Sequence, residues 1–191
     1  MKHIVIFASG SGTNAENIIK YFQNSTVATV IRVLSNKKDA KVLNRANRLN
    51  VKSLHFNRKD FFETDTILNQ LVCEADLIIL AGFLWKVPQK IIKAFPNKII
   101  NIHPALLPNY GGKGMYGMHI HKAVVANREK ETGITIHYVN ENYDKGAIIF
   151  QVKVALLTED TPENVAVKIH TLEQENFPRV IEELIKSTID G

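Results

Sequence analysis

The segment Leu77–Leu80 constrains the fold of this chain more than any other, because its four consecutive apolar residues face both sides of a strand. A strand that is apolar on both faces belongs to a parallel sheet that helices cover on each side. Strand-like runs of this kind alternate with helical periods over the first hundred residues. The predicted strands span residues 2–8, 27–34, 53–56, 75–81 and 98–102, and the predicted helices span residues 15–23, 40–49, 60–74 and 88–95. This order predicts a doubly wound sheet that binds ligands at the carboxyl ends of its strands.

The final third of the sequence has a different pattern. Residues 133–139 and 146–156 are predicted strands, joined by a tight polar turn that contains Asp144. Thr161 and Pro162 begin a long predicted helix, since Thr suits the N-cap and Pro the first helical position. Pro178 is expected to kink or break that helix because it lacks a backbone N–H. The predicted fold class is α/β, a doubly wound, mostly parallel twisted sheet with an antiparallel strand near the C-terminus and helices on both faces.

Composition and charge exclude several classes of protein. Lys and Arg number 24 against 19 Asp and Glu, but these charges are scattered, so we expect no nucleic-acid partner. No run approaches the roughly 18 apolar residues of a membrane span, and the apolar residues 1–8 lead into glycine and polar residues as a strand does, not as a signal peptide does. Cys73 is the single cysteine and permits no internal disulfide. We expect it to be buried and the protein to be cytoplasmic.

A glycine-rich segment, residues 10–14, follows the first predicted strand and opens the first helix. Glycine lets the backbone approach a ligand closely, and the free N–H groups of a helix N-terminus suit an anion. Glu16 and Asn17 stand where a dinucleotide-binding fingerprint needs glycine, and the lysine of a Walker loop is absent. The segment therefore predicts a phosphate site. The alternative is a plain turn that Thr13 or Asn14 caps.

A polar pair, Asn101 and His103, lies at the end of the fifth predicted strand. Strand alternation puts both side chains on the same side, where an amide beside an imidazole can stabilise a carbonyl oxygen that becomes an oxyanion. Asp144 is either an ordinary turn aspartate or a carboxylate that orients His103 and raises the pKa of its imidazole. Spacing alone leaves both alternatives open.

Residues 108–118 contain four glycines and are either a mobile lid or a slack surface loop. His119 and His121 follow this loop at alternate positions. No cysteine or carboxylate nearby completes a ligand set, so a metal site is not predicted.

Together these motifs resemble the phosphoribosylglycinamide formyltransferase family over nearly the whole chain. The matching segments are S-G-x-G-[ST]-N at residues 9–14, residues 34–37 and 80–83, N-I-H-P-x-L-L-P at residues 101–108, D-x-G at residues 144–146, and Glu173 before the last proline. The resemblance implies a Rossmann-like formyltransferase fold in one domain, residues 1–191. Its phosphate-binding half would be residues 1–100, and its catalytic and folate-binding half residues 101–191.

The resemblance also implies a reaction, in which the formyl group of the co-substrate 10-formyltetrahydrofolate passes to the amine of phosphoribosylglycinamide in purine synthesis, without a metal. Asn101 is implied to bind the formyl oxygen and His103 to stabilise the oxyanion and donate a proton. Asp144 is implied to keep His103 protonated and placed, directly or through an ordered water. The other implied contacts are Gly12, Thr13 and Asn14 with the phosphate, Glu173 with the ribose, Arg58 with the folate tail, and Leu84, Trp85, Lys86, Val87, Asn101, Asn140, Glu141, Asn142, Tyr143 and Asp144 with the folate.

This sequence departs from the family pattern in two places. The family often has Met-Arg-Ile-Leu where this chain has residues 84–87, which changes the local charge but not the main-chain contacts implied there. The loop at residues 111–117 is longer than the family's usual Pro-Gly turn. The family also tends to have a cis bond before the last proline of its motif, so the bond between Leu107 and Pro108 is a candidate.

Three other functions share some of these motifs. Methionyl-tRNA formyltransferase shares the catalytic motif but carries a C-terminal nucleic-acid-binding domain, for which 191 residues leave no room. Formyltetrahydrofolate hydrolase usually has an N-terminal regulatory domain, whereas here the catalytic fold is expected to begin at residue 3. A non-catalytic module that binds a phosphoribosyl ligand would explain residues 10–14 but not the set Asn101, His103 and Asp144. We expect small-molecule substrates, no membrane partner, and a monomer or homodimer.

Overall fold

A computed structural model describes residues 1–187 and contains one seven-stranded sheet. The strands are β1 (Lys2–Phe7), β2 (Ala28–Ser35), β3 (Lys52–His55), β4 (Leu77–Leu80), β5 (Ile99–His103), β6 (Glu131–Tyr138) and β7 (Ile148–Ala155). Their order across the sheet is β3-β2-β1-β4-β5-β6-β7. The strands β1, β2, β3 and β4 pair in parallel, and β6 and β7 pair antiparallel. The predicted mixed, mostly parallel sheet is confirmed.

Helices cover both faces of this sheet. They are α1 (Thr13–Phe22), α2 (Lys41–Arg48), α3 (Arg58–Phe62), α4 (Thr66–Glu74), α5 (Gln89–Ala94), α6 (Met118–Ala126) and α7 (Pro162–Ser187). Because helices lie on both faces, both sides of strand β4 are apolar: Ile78 and Ile79 point to opposite faces and both are buried. Ile79 pairs with Ile6 of β1, so the central strands share one apolar layer on each face.

Internal packing divides the chain into two units. The first comprises Met1–Ile100 with the described residues from Pro178 onward, and the second comprises Asn101–Phe177. In the second unit, a small core forms around Ala105, Ile120 and Val124. None of the helices in residues 1–187 is both long and apolar enough to cross a membrane.

The helices differ from the sequence predictions in four respects. The helix predicted over residues 60–74 is two helices, because Thr64 and Thr66 bond to each other and Thr64 to Asp60, in place of a continuous helical ladder. The helix α6 was not predicted, because the glycines before it favour a loop. Pro178 does not break α7. Cys73 is exposed, because the buried stripe of α4 runs through Ile67 and Leu71 and a residue two positions beyond Leu71 faces away from it.

Candidate active site

The imidazole of His103 lies at the end of β5 and is almost fully buried, with 4% of its surface exposed. Its Nε2 is 2.8 Å from the backbone oxygen of Tyr110. A carbonyl oxygen only accepts hydrogen bonds, so Nε2 is protonated and donates a hydrogen bond to the Tyr110 oxygen. Its Nδ1 is 3.7 Å from Oδ1 of Asp144, a separation too long for a direct hydrogen bond. The two residues therefore form an ion pair only when Nδ1 is also protonated.

Burial lowers the pKa of His103 below its ordinary value, because a charged imidazole loses its hydration there. The negative charge of Asp144 and the bond to Tyr110 raise that pKa, but burial outweighs them, and the nearby His137 lowers it further. Asp144 therefore raises the pKa of His103 as expected, while the net shift in the free protein is downward because burial has the larger effect. The carboxylate acts in the expected sense and is overruled by desolvation.

The carboxylate of Asp144 sits in the turn between β6 and β7 with a left-handed backbone, φ 53°. Burial alone would raise its pKa, but the imidazole of His137, a hydrogen bond from the Gly112 N–H (2.8 Å to Oδ2) and the positive charge available at His103 together lower it. Asp144 is consequently ionised near neutral pH. The turn needs Gly146, because a Cβ there would lie 1.6 Å from the Tyr138 oxygen.

A second buried imidazole, that of His137 on β6, completes the cluster and was missed in the sequence. Its Nδ1 is 2.8 Å from the oxygen of Tyr138, so Nδ1 carries the proton. Its Nε2 then accepts a hydrogen bond from the Asn101 amide at 3.1 Å and lies 3.7 Å from Oδ1 of Asp144. The Asn101 side chain therefore directs its NH₂ group, and not its oxygen, toward His137. Alternation along β6 offered a signal, since Thr135 and His137 share one face of the strand next to β5.

The chain that leaves His103 is held by buried hydrogen bonds to β6. Thr135 Oγ1 donates to the Ala105 oxygen (2.7 Å) and accepts from the Leu107 N–H (3.0 Å). Gln151 adds a bond to the Leu107 oxygen. The bond between Leu107 and Pro108 is cis, as the resemblance implied. These contacts fix where the following loop begins.

The residues expected to bind phosphate form the turn between β1 and α1. Gly12 is the N-cap with φ 78°, so neither Thr13 nor Asn14 is the cap. A Cβ at Gly12 would lie 2.4 Å from Val42 Cγ2, which shows how closely α2 packs on this turn. Arg45 of α2 donates to the Ser11 oxygen at 2.9 Å and pairs with Glu16. These contacts hold α2 firmly against the turn.

A buried serine, Ser9, links this turn to the segment after β4. Its hydroxyl donates to Asn36 Oδ1 at 2.7 Å and accepts the N–H of Leu84 at 3.0 Å. Its own N–H donates to the Gly82 oxygen. Ser9 therefore fixes the backbone of the segment that the resemblance assigns to folate.

The side chains of that segment have different environments. Leu84 is 44% exposed, Lys86 is exposed, and Val87 is buried in the core of its unit. Trp85 joins an aromatic cluster with Phe56, Phe61, Phe62 and Phe83.

Arg58, expected near the folate tail, belongs to the same cluster. Its guanidinium lies 4.7 Å from the centre of the Phe62 ring and 6.0 Å from that of Trp85, within the range of a cation–π interaction. Arg58 therefore lies over the ring of Phe62, with Trp85 as the second, more distant ring.

The remaining expected residues lie on the β6–β7 turn and on α7. Asn140 donates to the Lys145 oxygen and accepts the N–H of Asn142, so it shapes the turn, and Glu141 and Tyr143 are exposed. Glu173 faces His170 on α7 at 3.6 Å. Within residues 1–187, no three His, Cys, Asp or Glu side chains are grouped as metal ligands.

Comparisons with known proteins show what this chain is similar to over nearly its whole length. The family model described as formyl transferase matches residues 2–181. The chain is 37% identical to phosphoribosylglycinamide formyltransferase of Haemophilus influenzae over 187 residues, which are 95% of this chain and 86% of that one. It is 36% identical to the chloroplastic enzyme of that name from Arabidopsis thaliana, covering 100% of this chain and 69% of the relative. The solved glycinamide ribonucleotide transformylase 1 of Geobacillus kaustophilus superimposes with a TM-score of 0.87 at 34% identity, covering 97% of this chain and 99% of that one.

Proposed function

We propose that this chain, which belongs to the formyl transferase family, is a phosphoribosylglycinamide formyltransferase of purine biosynthesis. It transfers the formyl group of 10-formyltetrahydrofolate to the amine of phosphoribosylglycinamide. The new bond joins the formyl carbon to the substrate amine, and the bond from that carbon to N10 of the folate breaks. One proton leaves the amine and one arrives at N10, giving the N-formyl product and tetrahydrofolate. The reaction is balanced without an oxidant or a metal.

The observation that carries this proposal is the buried cluster in which Asp144 Oδ1 lies 3.7 Å from both His103 Nδ1 and His137 Nε2. Attack of an amine on a formyl carbon develops negative charge on the formyl oxygen and releases a proton. An amide NH₂, an imidazole and an ionised carboxylate provide the donor, the acid and the base that these two events need. A module that only binds a ligand does not need His103, His137 and Asp144 grouped together with little exposure to solvent.

We assign the catalytic roles to Asn101, His103 and Asp144. The Asn101 amide gives one N–H to His137, so its second N–H is the donor for the formyl oxygen. Negative charge that develops on this oxygen raises the pKa of His103 against the effect of burial, so Nδ1 of the imidazole takes up the proton that Asp144 has accepted from the amine and delivers it to N10 of the folate. Asp144, ionised in the free protein, takes up the proton that the amine releases.

Binding is assigned to the remaining residues. The phosphate of the ribotide is proposed to sit on the N–H groups of Gly12, Thr13 and Asn14, in the turn that Arg45 holds, and Glu173 to bind the ribose. The folate is proposed to lie along the backbone of residues 84–87 and 140–144, with Arg58 near the acidic tail.

The test is release of tetrahydrofolate from 10-formyltetrahydrofolate with and without phosphoribosylglycinamide. Release only with both compounds, with one N-formyl product per tetrahydrofolate, supports the proposal. Release from the folate alone indicates the hydrolase, and no release indicates a binding module. In the same assay His103→Ala is expected to lose nearly all activity while its circular dichroism stays that of the parent.

The proposed location is the cytoplasm, and the proposed state is a monomer or homodimer. An exposed thiol at Cys73 suits a reducing compartment. Sedimentation analysis across a concentration series gives the state.

A further inference from the structure

The glycine loop at residues 110–117 contacts His103 and Asp144, called the catalytic pair below. Its sequence does not predict this contact. Two of its backbone groups reach that pair: the Tyr110 oxygen accepts from His103 Nε2, and the Gly112 N–H donates to Asp144 Oδ2, each over 2.8 Å. These contacts come from residues two positions apart. Residues 110–112 are called the clamp segment below.

We propose that the clamp segment is a positioning element for the proposed reaction: it fixes which nitrogen of His103 and which oxygen of Asp144 take part in proton transfer. The Tyr110 oxygen keeps the Nε2 proton in place, so Nδ1 is the nitrogen that gains and loses a proton. The Gly112 N–H occupies Oδ2, so Oδ1 is the oxygen left facing the imidazoles of His103 and His137. The inference rests on the proposed function but concerns residues outside the catalytic set.

The backbone of the clamp segment fits this role. Tyr110 has φ 56° and Gly112 has φ 99°, and these conformations turn the carbonyl and the N–H toward the pair. Gly111 allows close approach, because a Cβ there would lie 2.6 Å from Leu107 Cδ2 and 3.3 Å from Asp144 Cβ.

The side chain of Tyr110 anchors the segment from the other side. Its hydroxyl donates to Glu129 Oε1 at 2.6 Å and accepts from Asn127 Nδ2 at 2.8 Å. The ring also packs on the small core of Ala105, Ile120 and Val124. The carbonyl that holds His103 therefore belongs to a residue fixed at both its backbone and its side chain.

The glycines of the loop provide a matched pair of variants. Gly112 and Gly114 have similar positive φ values, 99° and 90°, and an added Cβ meets nothing within 4 Å at either position. Alanine is strained at both sites, because both φ values are positive. Only at Gly112 does the relaxing backbone carry away the N–H that holds Asp144, so Gly114→Ala is the control for Gly112→Ala.

The experiment measures the ionisation of Asp144 by carboxyl NMR and the pH profile of kcat/KM in both variants. A lost N–H bond raises the pKa of a carboxylate, by roughly 0.5–1 unit for one bond. Gly112→Ala should therefore move both the Asp144 titration and the acid limb of the profile to higher pH, while Gly114→Ala leaves both where the parent has them. Equal titrations in the two variants, or equal shifts, would overturn the proposal.

A second pair covers the case in which Gly112→Ala does not fold. Tyr110→Phe removes the anchoring hydroxyl and Tyr116→Phe removes an exposed one in the same loop. A smaller shift in the same direction for Tyr110→Phe alone supports the proposal, and no difference within the pair contradicts it. The NMR titration needs no turnover, so absence of formyl transfer in the parent would refute the proposed function and leave the clamp to be judged by the titration.

Discussion

Two glycine-rich segments, residues 9–14 and residues 110–117, end alike but differ in what their backbone groups contact. Each leads into a helix whose N-cap is a glycine with positive φ, Gly12 before α1 and Gly117 before α6. The first is held from behind by α2, through Val42 and Arg45. The second turns its backbone groups onto His103 and Asp144. Glycine content alone therefore does not separate a segment proposed to present N–H groups to a ligand from one proposed to set the protonation of side chains.

The largest effect expected from this comparison is that of Asp144→Asn in the second region. The amide keeps a hydrogen bond with the Gly112 N–H but has no charge and does not accept the proton of the amine. We expect kcat to fall about 10²- to 10⁴-fold, with a much smaller change in the KM for the ribotide. Steady-state kinetics with each substrate varied measures both, and Glu131→Gln, an exposed carboxylate at the start of β6, is the control. Turnover close to that of the parent would remove Asp144 from the chemistry.

The next effect concerns the first region, where Gly12→Ala should impair ribotide binding. The new Cβ would overlap Val42 Cγ2 at 2.4 Å and stand 2.8 Å from the Val42 Cα, at a φ of 78°. We expect the free energy of unfolding to fall by about 1–3 kcal/mol and the ribotide KM to rise more than the folate KM.

Gly10→Ala is the matched control for Gly12→Ala, since nothing lies within 4 Å of a Cβ there. Chemical denaturation and kinetics on both variants give the comparison. If the folate KM alone rises in Gly12→Ala, the phosphate belongs elsewhere.

The sequence predicts features that depend on local periodicity. The double-sided apolar run at Leu77–Leu80 and the alternation of Asn101 and His103 are such features, and the structure has both. The loss of helix at residues 63–65 depends on side-chain bonds of Thr64 that compete with the helical ladder, a balance that periodicity does not reveal.

Other features depend on contacts between residues distant in sequence. His137 joins the cluster because β6 lies beside β5. The sequence of a strand does not identify which strand pairs with it. The pKa of His103 falls because burial outweighs a charge 3.7 Å away, and the sequence shows the charge but not the burial. For the same reason, the sequence does not distinguish a mobile lid from a slack surface loop at the clamp segment.

A smaller effect is expected from Ser9→Ala, which sharpens the comparison within the first region. The variant leaves the N–H of Leu84 without its acceptor and Asn36 without its donor, at a cost of about 1–3 kcal/mol. Because Leu84 begins the segment assigned to folate, we expect the folate KM to rise several-fold, roughly as 1 kcal/mol implies, while the ribotide KM stays within twofold, roughly a change of 0.4 kcal/mol. Kinetics on Ser53→Ala, which loses a surface hydrogen bond to Asn47, provides the baseline. Equal changes in both KM values would assign Ser9 to general stability.

The smallest effect distinguishes the helices that the two segments lead into. The buried residues of α1 are all apolar, whereas α6 buries His121, whose Nδ1 has no hydrogen-bond partner. Burial lowers the pKa of His121 below the ordinary value of about 6.5, as it does for His103. Both imidazoles are neutral in the folded state and take up protons more readily when unfolded. Their contribution to stability is therefore fully present above about pH 6.5 and is lost as the pH falls from there through the folded pKa values.

Replacing the imidazole, as in His121→Leu, should reduce this decline by about 1.4 kcal/mol for each unit by which burial lowers its pKa. Ile19→Val on α1 is the counterpart, because it removes a buried methylene and no ionisable group. It should lower the free energy of unfolding by about 0.5–1.5 kcal/mol at every pH. Urea denaturation between pH 5 and 8 separates the two results: a vertical offset for α1 and a change of slope for α6. Identical slopes in His121→Leu and the parent would mean that the acid sensitivity of the second region comes from His103 and Asp144, the pair that the clamp segment holds.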